Sequence, residues 1–106
     1  MIEGENLALA LSVSGFDLSQ CKVIAVLQGK TRRIEKTNDD MQIDGAAAGT
    51  RITLQLSQED TLMLGMGTVT IQVNWIDVNG LRRATRKASF NMEENLYKKV
   101  MEFEDE

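Results

Sequence analysis

Apolar residues recur at every second position over Leu7, Leu9, Leu11 and Val13, with Ala8, Ala10 and Ser12 between them. That period predicts a strand with one buried face rather than a helix. After a loop at Ser14-Gly15-Phe16-Asp17, the run Cys21-Lys22-Val23-Ile24-Ala25-Val26-Leu27 is apolar at nearly consecutive positions and rich in β-branched residues, which predicts a central strand covered on both faces. Gln28-Gly29-Lys30-Thr31 sets a glycine at the first position of a two-residue loop, the requirement of a type II′ hairpin. The partner strand, residues 31–37, carries Arg32, Arg33, Glu35 and Lys36 around a single Ile34 and reads as a solvated edge.

Asn38-Asp39-Asp40 breaks the chain, Met41 and Ile43 alternate briefly, and Ala46-Ala47-Ala48 between Gly45 and Gly49 predicts a loose turn. Arg51 to Leu56 alternates without a fault and points Ile52, Leu54 and Leu56 inward. Ser57-Gln58-Glu59-Asp60 is a capping box: the serine hydroxyl can accept from a backbone N–H three residues on while the acid answers it. Gly65 then stops a short helix near 58–64, whose Leu62 and Met63 would lid one end of the core. Beyond it, Val69, Ile71, Val73 and Trp75 share one face of a long strand, and Thr68, Thr70, Gln72 and Asn74 share the other.

Asn79-Gly80 predicts a two-residue type I′ turn, which needs positive φ at both positions. Trp75 then stands opposite Ala84, Ile71 opposite Ala88 and Val69 opposite Phe90. The same register puts Arg86 opposite Val73 on the buried face, which a core does not accept. Either a bulge near Thr85 or a place at the sheet margin resolves the conflict, and the bulge is favoured. These strands and turns predict one domain over residues 1–92, an all-β antiparallel two-sheet sandwich of immunoglobulin-like size, with an OB-type barrel as the competing architecture. Residues 93–106 form an acidic C-terminal segment, read as a short helix over 93–101 or a disordered tail, with 102–106 disordered.

Composition narrows the chemistry. The chain of 106 residues has no His, no Pro and one Cys, which excludes imidazole bases, imidazole metal ligands and intrachain disulfides by counting. Cys21 in its apolar run reads as a buried inert thiol. Charge is localised: residues 1–92 balance, and the formal charge of −4 comes from the tail, where Glu93, Glu94, Glu102, Glu104, Asp105 and Glu106 face only Lys98 and Lys99. A neutral body and an acidic tail argue against nucleic acid as a partner. No window approaches the ~20 apolar residues of a membrane span, and the acidic start lacks the pattern of an export signal, so a cytoplasmic protein is expected.

The candidate chemistry is sparse. Trp75 reads as core. Asp39, Asp40 and Asp44 lack the spacing of a calcium loop, Gly65 and Gly67 follow a helix where a phosphate loop would precede one, and Glu59 and Asp60 are accounted for by capping. No nucleophile, base and orienting group can be assembled, so no enzyme, cofactor or metal is expected. The basic cluster Arg82, Arg83, Arg86 and Lys87 alternates between strand faces and cannot make a single patch. With Arg33 and Glu35 of the charged edge it is nevertheless the candidate interaction surface, fit for an acidic partner. Without proline, an edge strand can donate every N–H, so strand addition within an assembly is open.

The string Leu54-Gln55-Leu56-Ser57-Gln58-Glu59-Asp60-Thr61-Leu62, followed by Val69-Thr70-Ile71-Gln72-Val73 and the turn at Asn79-Gly80, resembles small prophage proteins associated with tails and baseplates, similar in style to the N-terminal module of phage baseplate upper proteins. Met1-Ile2-Glu3-Gly4, the alternation over 7–13 and Gly29-Lys30 also fit. The resemblance implies a structural or adaptor component, cytoplasmic during assembly and then part of a virion tail. Its partners would be other tail proteins, or a second copy bound through sheet edges. It brings no catalytic residues. Departures from the group are the Leu-Ala-Leu-Ala-Leu start and the weight of the basic run 82–87. The alternative is a carbohydrate or receptor-binding module, for which Tyr97 is the exposed aromatic candidate. Single-strand nucleic-acid binding would need a basic groove lined by aromatics.

Overall fold

The computed structural model describes residues 1–103. Two separate antiparallel sheets face one another. One contains β1 (Leu7–Ser14), β5 (Gly49–Leu56) and β4 (Met41–Ala46), in that order. The other runs β3 (Arg33–Thr37), β2 (Lys22–Gln28), β6 (Gly67–Ile76), with β7 (Arg82–Ala84) and β8 (Ala88–Met92) both paired to the far side of β6. The order β1-β5-β4 against β3-β2-β6-β8 corresponds to the B-E-D and C′-C-F-G arrangement of immunoglobulin-type sandwiches. The sheets are not joined into a barrel.

The alternation sorts side chains as expected. Leu9 and Val13 of β1, Ile52, Leu54 and Leu56 of β5, Val23, Ala25 and Leu27 of β2 and Val69, Ile71, Val73 and Trp75 of β6 form the buried core with Leu18, Leu64 and Met92. The outward side of β2 is only half-buried at Ile24 and Val26, so this central strand is fully covered on one face rather than two. Ala47 and Ala48 make the tight link between the last β4–β5 pair, Ala46 and Gly49.

The short helix α1 (Gln58–Leu64) connects the sheets and starts at the capping box. Asp60 N–H donates to Ser57 Oγ at 3.1 Å, and Ser57 N–H donates to Asp60 Oδ2 at 2.9 Å. Gly65 ends the helix with φ 72°. Thr61 and Leu64 face the core, while Leu62 is half-buried and Met63 exposed. Thr61 takes the inward place because its hydroxyl binds the chain start, donating to Glu5 O and accepting from Gly4 N–H.

Two turns depart from expectation. The β2–β3 connection spans Gly29 to Arg32 and is closed by Gly29 N–H to Arg32 O at 2.8 Å. Gly29 has no positive φ; glycine is needed because a Cβ there would stand 2.4 Å from the Leu64 carbonyl oxygen. The β6–β7 loop spans Asp77 to Leu81, and only Gly80 has a positive φ. Asp77 Oδ1 accepts from the N–H groups of Asn79 and Leu81 at 2.9 and 3.0 Å, an Asx arrangement that stabilises a longer loop than the type I′ turn. Trp75 therefore stands opposite Arg83, not Ala84.

Past the bulge the expected register holds, with Ile71 opposite Ala88 and Val69 opposite Phe90. The bulge lies at Thr85, which takes over the ladder: its N–H donates to Val73 O at 2.9 Å and its Oγ1 accepts from Val73 N–H at 3.1 Å. Three residues, 85–87, thus stand against Gln72 and Val73, and Arg86 is released to the surface.

No helix forms over 93–101. The segment returns along the chain start, where Ile2 bridges Glu93 in parallel, Glu3 N–H donates to Glu93 O at 3.0 Å and Glu93 N–H donates to Met1 O at 2.7 Å. Gln58 then clasps the backbone of Met101, its Nε2 donating to Met101 O at 2.9 Å and its Oε1 accepting from Met101 N–H at 2.8 Å. Leu96 is 94% exposed, so the segment has no buried stripe to hold a helix. Of the tail expected to be disordered, residues 104–106 lie outside the described residues.

Gly29→Ala is expected to lower the unfolding free energy by about 1–3 kcal/mol, the range for overpacking against backbone that must shift. Urea denaturation followed by Trp75 fluorescence measures it.

Candidate functional site

Parity along β2 and β6 decides which side chains face away from the core. On the five-stranded sheet the outward set comprises Lys22, Ile24, Val26 and Gln28 of β2, and Thr68, Thr70, Gln72 and Asn74 of β6. Cross-strand pairing adds Arg33 opposite Gln28 and Glu35 opposite Val26. Arg33, Lys87, Val26, Gln28, Thr70 and Gln72 line one shallow depression of about 320 Å³. Arg33 Nε donates to Gln28 Oε1 at 2.8 Å, which lays its side chain along the floor. Arg82 reaches the same face, its Nη2 donating to Asn74 Oδ1 at 3.3 Å.

The expected interaction residues thus divide. Arg33, Glu35, Arg82 and Lys87 share the outer face, brought together from strands far apart in sequence. Arg83 does not join them: its guanidinium lies 5.2 Å from the centroid of Phe16, which in turn packs on Trp75 at 5.4 Å. That arginine caps the end of the core. Arg86 lies beside the opening between the sheets, with Leu11, Val13, Ile71 and Thr85. Lys22 is the residue the sequence reading missed. Its place opposite Ile76 puts it on the same outer face, a position that strand parity alone could have supplied.

The face is electropositive. Lys22, Arg33, Arg82 and Lys87 face only Glu35, and among the described residues none of the four forms an ion pair. The remaining polar side chains, Gln28, Thr70, Gln72 and Asn74, can donate or accept without charge. Such a surface suits carboxylates presented on another protein more than an enclosed small ligand, because the depression is shallow and open to solvent. Tyr97 is not on it, lying instead on the C-terminal segment.

Paired charges lie elsewhere and serve the fold. Glu3 is 3% exposed, and its carboxylate accepts from Lys98 Nζ and from Asn95 N–H. Lys98 holds the Glu3 carboxyl below its usual range, burial opposes this, and the Asn95 N–H adds to the lowering. Lys36, read from sequence as part of a solvated edge, turns inward and pairs with Asp60 at 2.7 Å. Burial raises the Asp60 carboxyl, but Lys36 and Ser57 outweigh it and leave it lowered. Cys21 is half-buried rather than buried. Burial raises its thiol, and Asp77 and Asp17 raise it further, so the unreactive thiol form is favoured.

No protein-family model, curated protein or solved structure matches this chain. Among the described residues, no three His, Cys, Asp or Glu side chains are grouped to hold a metal ion. Among the described residues no helix is long and apolar enough to cross a membrane.

Glu3 and Asp60 make stability pH-dependent with a definite sign. Both carboxyls are lowered in the fold from ordinary values of 4.5 and 3.8, so their contribution is complete above those values and is lost as pH falls through the folded ones. Glu3→Gln is expected to lower the urea midpoint at neutral pH. It should also flatten the decline of that midpoint between about pH 5 and pH 3. Denaturation curves of the two proteins across that range check both effects.

Proposed function

We propose that this sandwich works without catalysis, as a structural or adaptor component that docks onto an acidic surface of another protein through the outer face of its five-stranded sheet. The observation that carries the reading is that Arg33 and Lys87 at one depression, and Lys22 and Arg82 further along the strands, share that face and form no ion pair among the described residues. Exposed cations around a half-buried polar floor steer the approach of a partner's carboxylates and disfavour a like-charged partner. The resemblance to tail and baseplate proteins supplies the kind of assembly. It rests on the capping-box string and the long strand after it, and under it the partner is a neighbouring tail component.

The test is capture of the proteins encoded beside this one, measured by interferometry at low and high salt. The native protein is expected to bind at least one of them with an affinity that falls as salt rises. Arg33→Glu combined with Lys87→Glu should weaken that binding by about tenfold or more, since reversal at a charged contact costs over 1.4 kcal/mol. Binding to none of them, or binding indifferent to the double reversal, would overturn the reading.

A further inference from the structure

A second surface lies on the other sheet and is argued independently of the basic face. Each sheet ends in two edges, and three of the four edge regions carry guards against further pairing. β3 bears Arg33, Glu35 and Lys36, β4 bears Asp44 next to Asp39 and Asp40, and the β7–β8 side bears the bulge at Thr85 with Arg86 and Lys87. β1 bears none. Leu7-Ala8-Leu9-Ala10-Leu11-Ser12-Val13-Ser14 pairs with β5 on one side through its whole length, without charge, proline or bulge. An unguarded edge of this length is a template for another strand.

The backbone shows which groups are free. Gly15 N–H, one residue past β1, donates to Ala48 O across the same ladder. The Val13 carbonyl oxygen lies so near Gly49 that a Cβ there would meet it at 2.8 Å. Odd-numbered residues therefore direct their backbone groups to β5. Because the direction alternates, those of Ala8, Ala10, Ser12 and Ser14 point off the edge. The side chains at these four positions are small and exposed, so nothing hinders an approaching strand. Leu7 and Leu11, inward by parity, stay half-exposed for lack of a neighbour. On that flank a gap of about 110 Å³ separates β1 from the far sheet, lined by Leu11, Val13, Ile71, Val73 and Ala88, with Thr85 and Arg86 of the bulge at its side.

We propose that β1 takes the β1 strand of a second copy, antiparallel, joining the two three-stranded sheets into one continuous sheet about a two-fold axis. A second copy suits this edge because the strand is self-complementary. It has no charge to oppose its own image, and odd residues must meet odd residues to keep both leucine rows inward. Leu11 meets its counterpart on the axis, Leu9 meets Val13, and the outward-pointing backbone groups pair Ala8 with Ser14 and Ala10 with Ser12. Antiparallel pairing also separates the acidic tails: residues 93–101 dock near the start of β1 through Glu3, so the two copies place theirs at opposite ends. A closed two-fold contact uses both unguarded edges and leaves none for growth into fibres.

Sedimentation equilibrium of the full chain over about a hundredfold concentration range tests this, with circular dichroism confirming that each variant folds. The native protein is expected to show a monomer–dimer equilibrium. Ala10→Lys with Ser12→Lys sets like charges directly opposite twice and should raise the dissociation constant by about tenfold or more. Ala10→Lys with Ser12→Glu sets opposite charges in the same two places and should restore the dimer. Both pairs of substitutions lie on an exposed face and remove no internal contact. A native chain that stays monomeric throughout, or a dimer that does not distinguish the two variants, would overturn the proposal.

Discussion

The structure depends on parity. In two stacked sheets about 10 Å apart, each strand must keep one alternate set of side chains in the shared interior. A shift of one residue would turn every inward leucine to solvent. β5 and β6 lie in the middle of the two sheets, and their inward residues, Ile52, Leu54 and Leu56 against Val69, Ile71, Val73 and Trp75, form the centre of the core. The flanking strands are then aligned by pairing. The one place where the chain cannot keep parity unaided is the return from the β6–β7 loop. That loop fixes Trp75 opposite Arg83, whereas the apolar set Ala88, Phe90 and Met92 needs the neighbouring register. Thr85 absorbs the extra residue and supplies hydrogen bonds in place of the missing rungs.

That re-phasing links the core to the surface. Without the bulge, the register of β7 would carry on and set Lys87 opposite Ile71, on the interior side. With it, Lys87 turns to the outer face, where it meets Arg33 across β2 and β6. The spread of charge on the five-stranded sheet is thus a consequence of how the core register is repaired. Arg83, fixed before the bulge, goes the other way and stacks on Phe16 at the end of the core.

The strands were legible because a period of two is local information. Leu7 to Val13, Arg51 to Leu56 and Val69 to Trp75 could be assigned and oriented from their own residues, and so could the Ser57–Asp60 cap. What stayed hidden depends on contacts distant in sequence. Gly29 is glycine because of Leu64, a relation that looked like turn chemistry from the local string. Asn79-Gly80 suggested its own turn, but Asp77 upstream supplies two acceptor contacts and sets a longer one. Lys36 looked solvated until α1 brought Asp60 to it. A helix over 93–101 was plausible from composition, yet Glu3 and Met1, some ninety residues away, offer its backbone other partners. The outer-face cluster was half-legible: its residues were named, but their division required the bulge to be counted through.

The two sheets end with opposite surface characters. The five-stranded sheet presents cations on a broad polar face, where association gains from charge and weakens with salt. The three-stranded sheet presents at β1 an uncharged edge with backbone groups unused, where association gains from hydrogen bonds and from covering Leu7 and Leu11, terms that salt screens little. These surfaces point in different directions and recruit different physics, so occupation of one need not compete with the other. Under the two proposals the dimer formed at β1 carries two basic faces, and its avidity for an array of acidic sites would exceed that of one face alone.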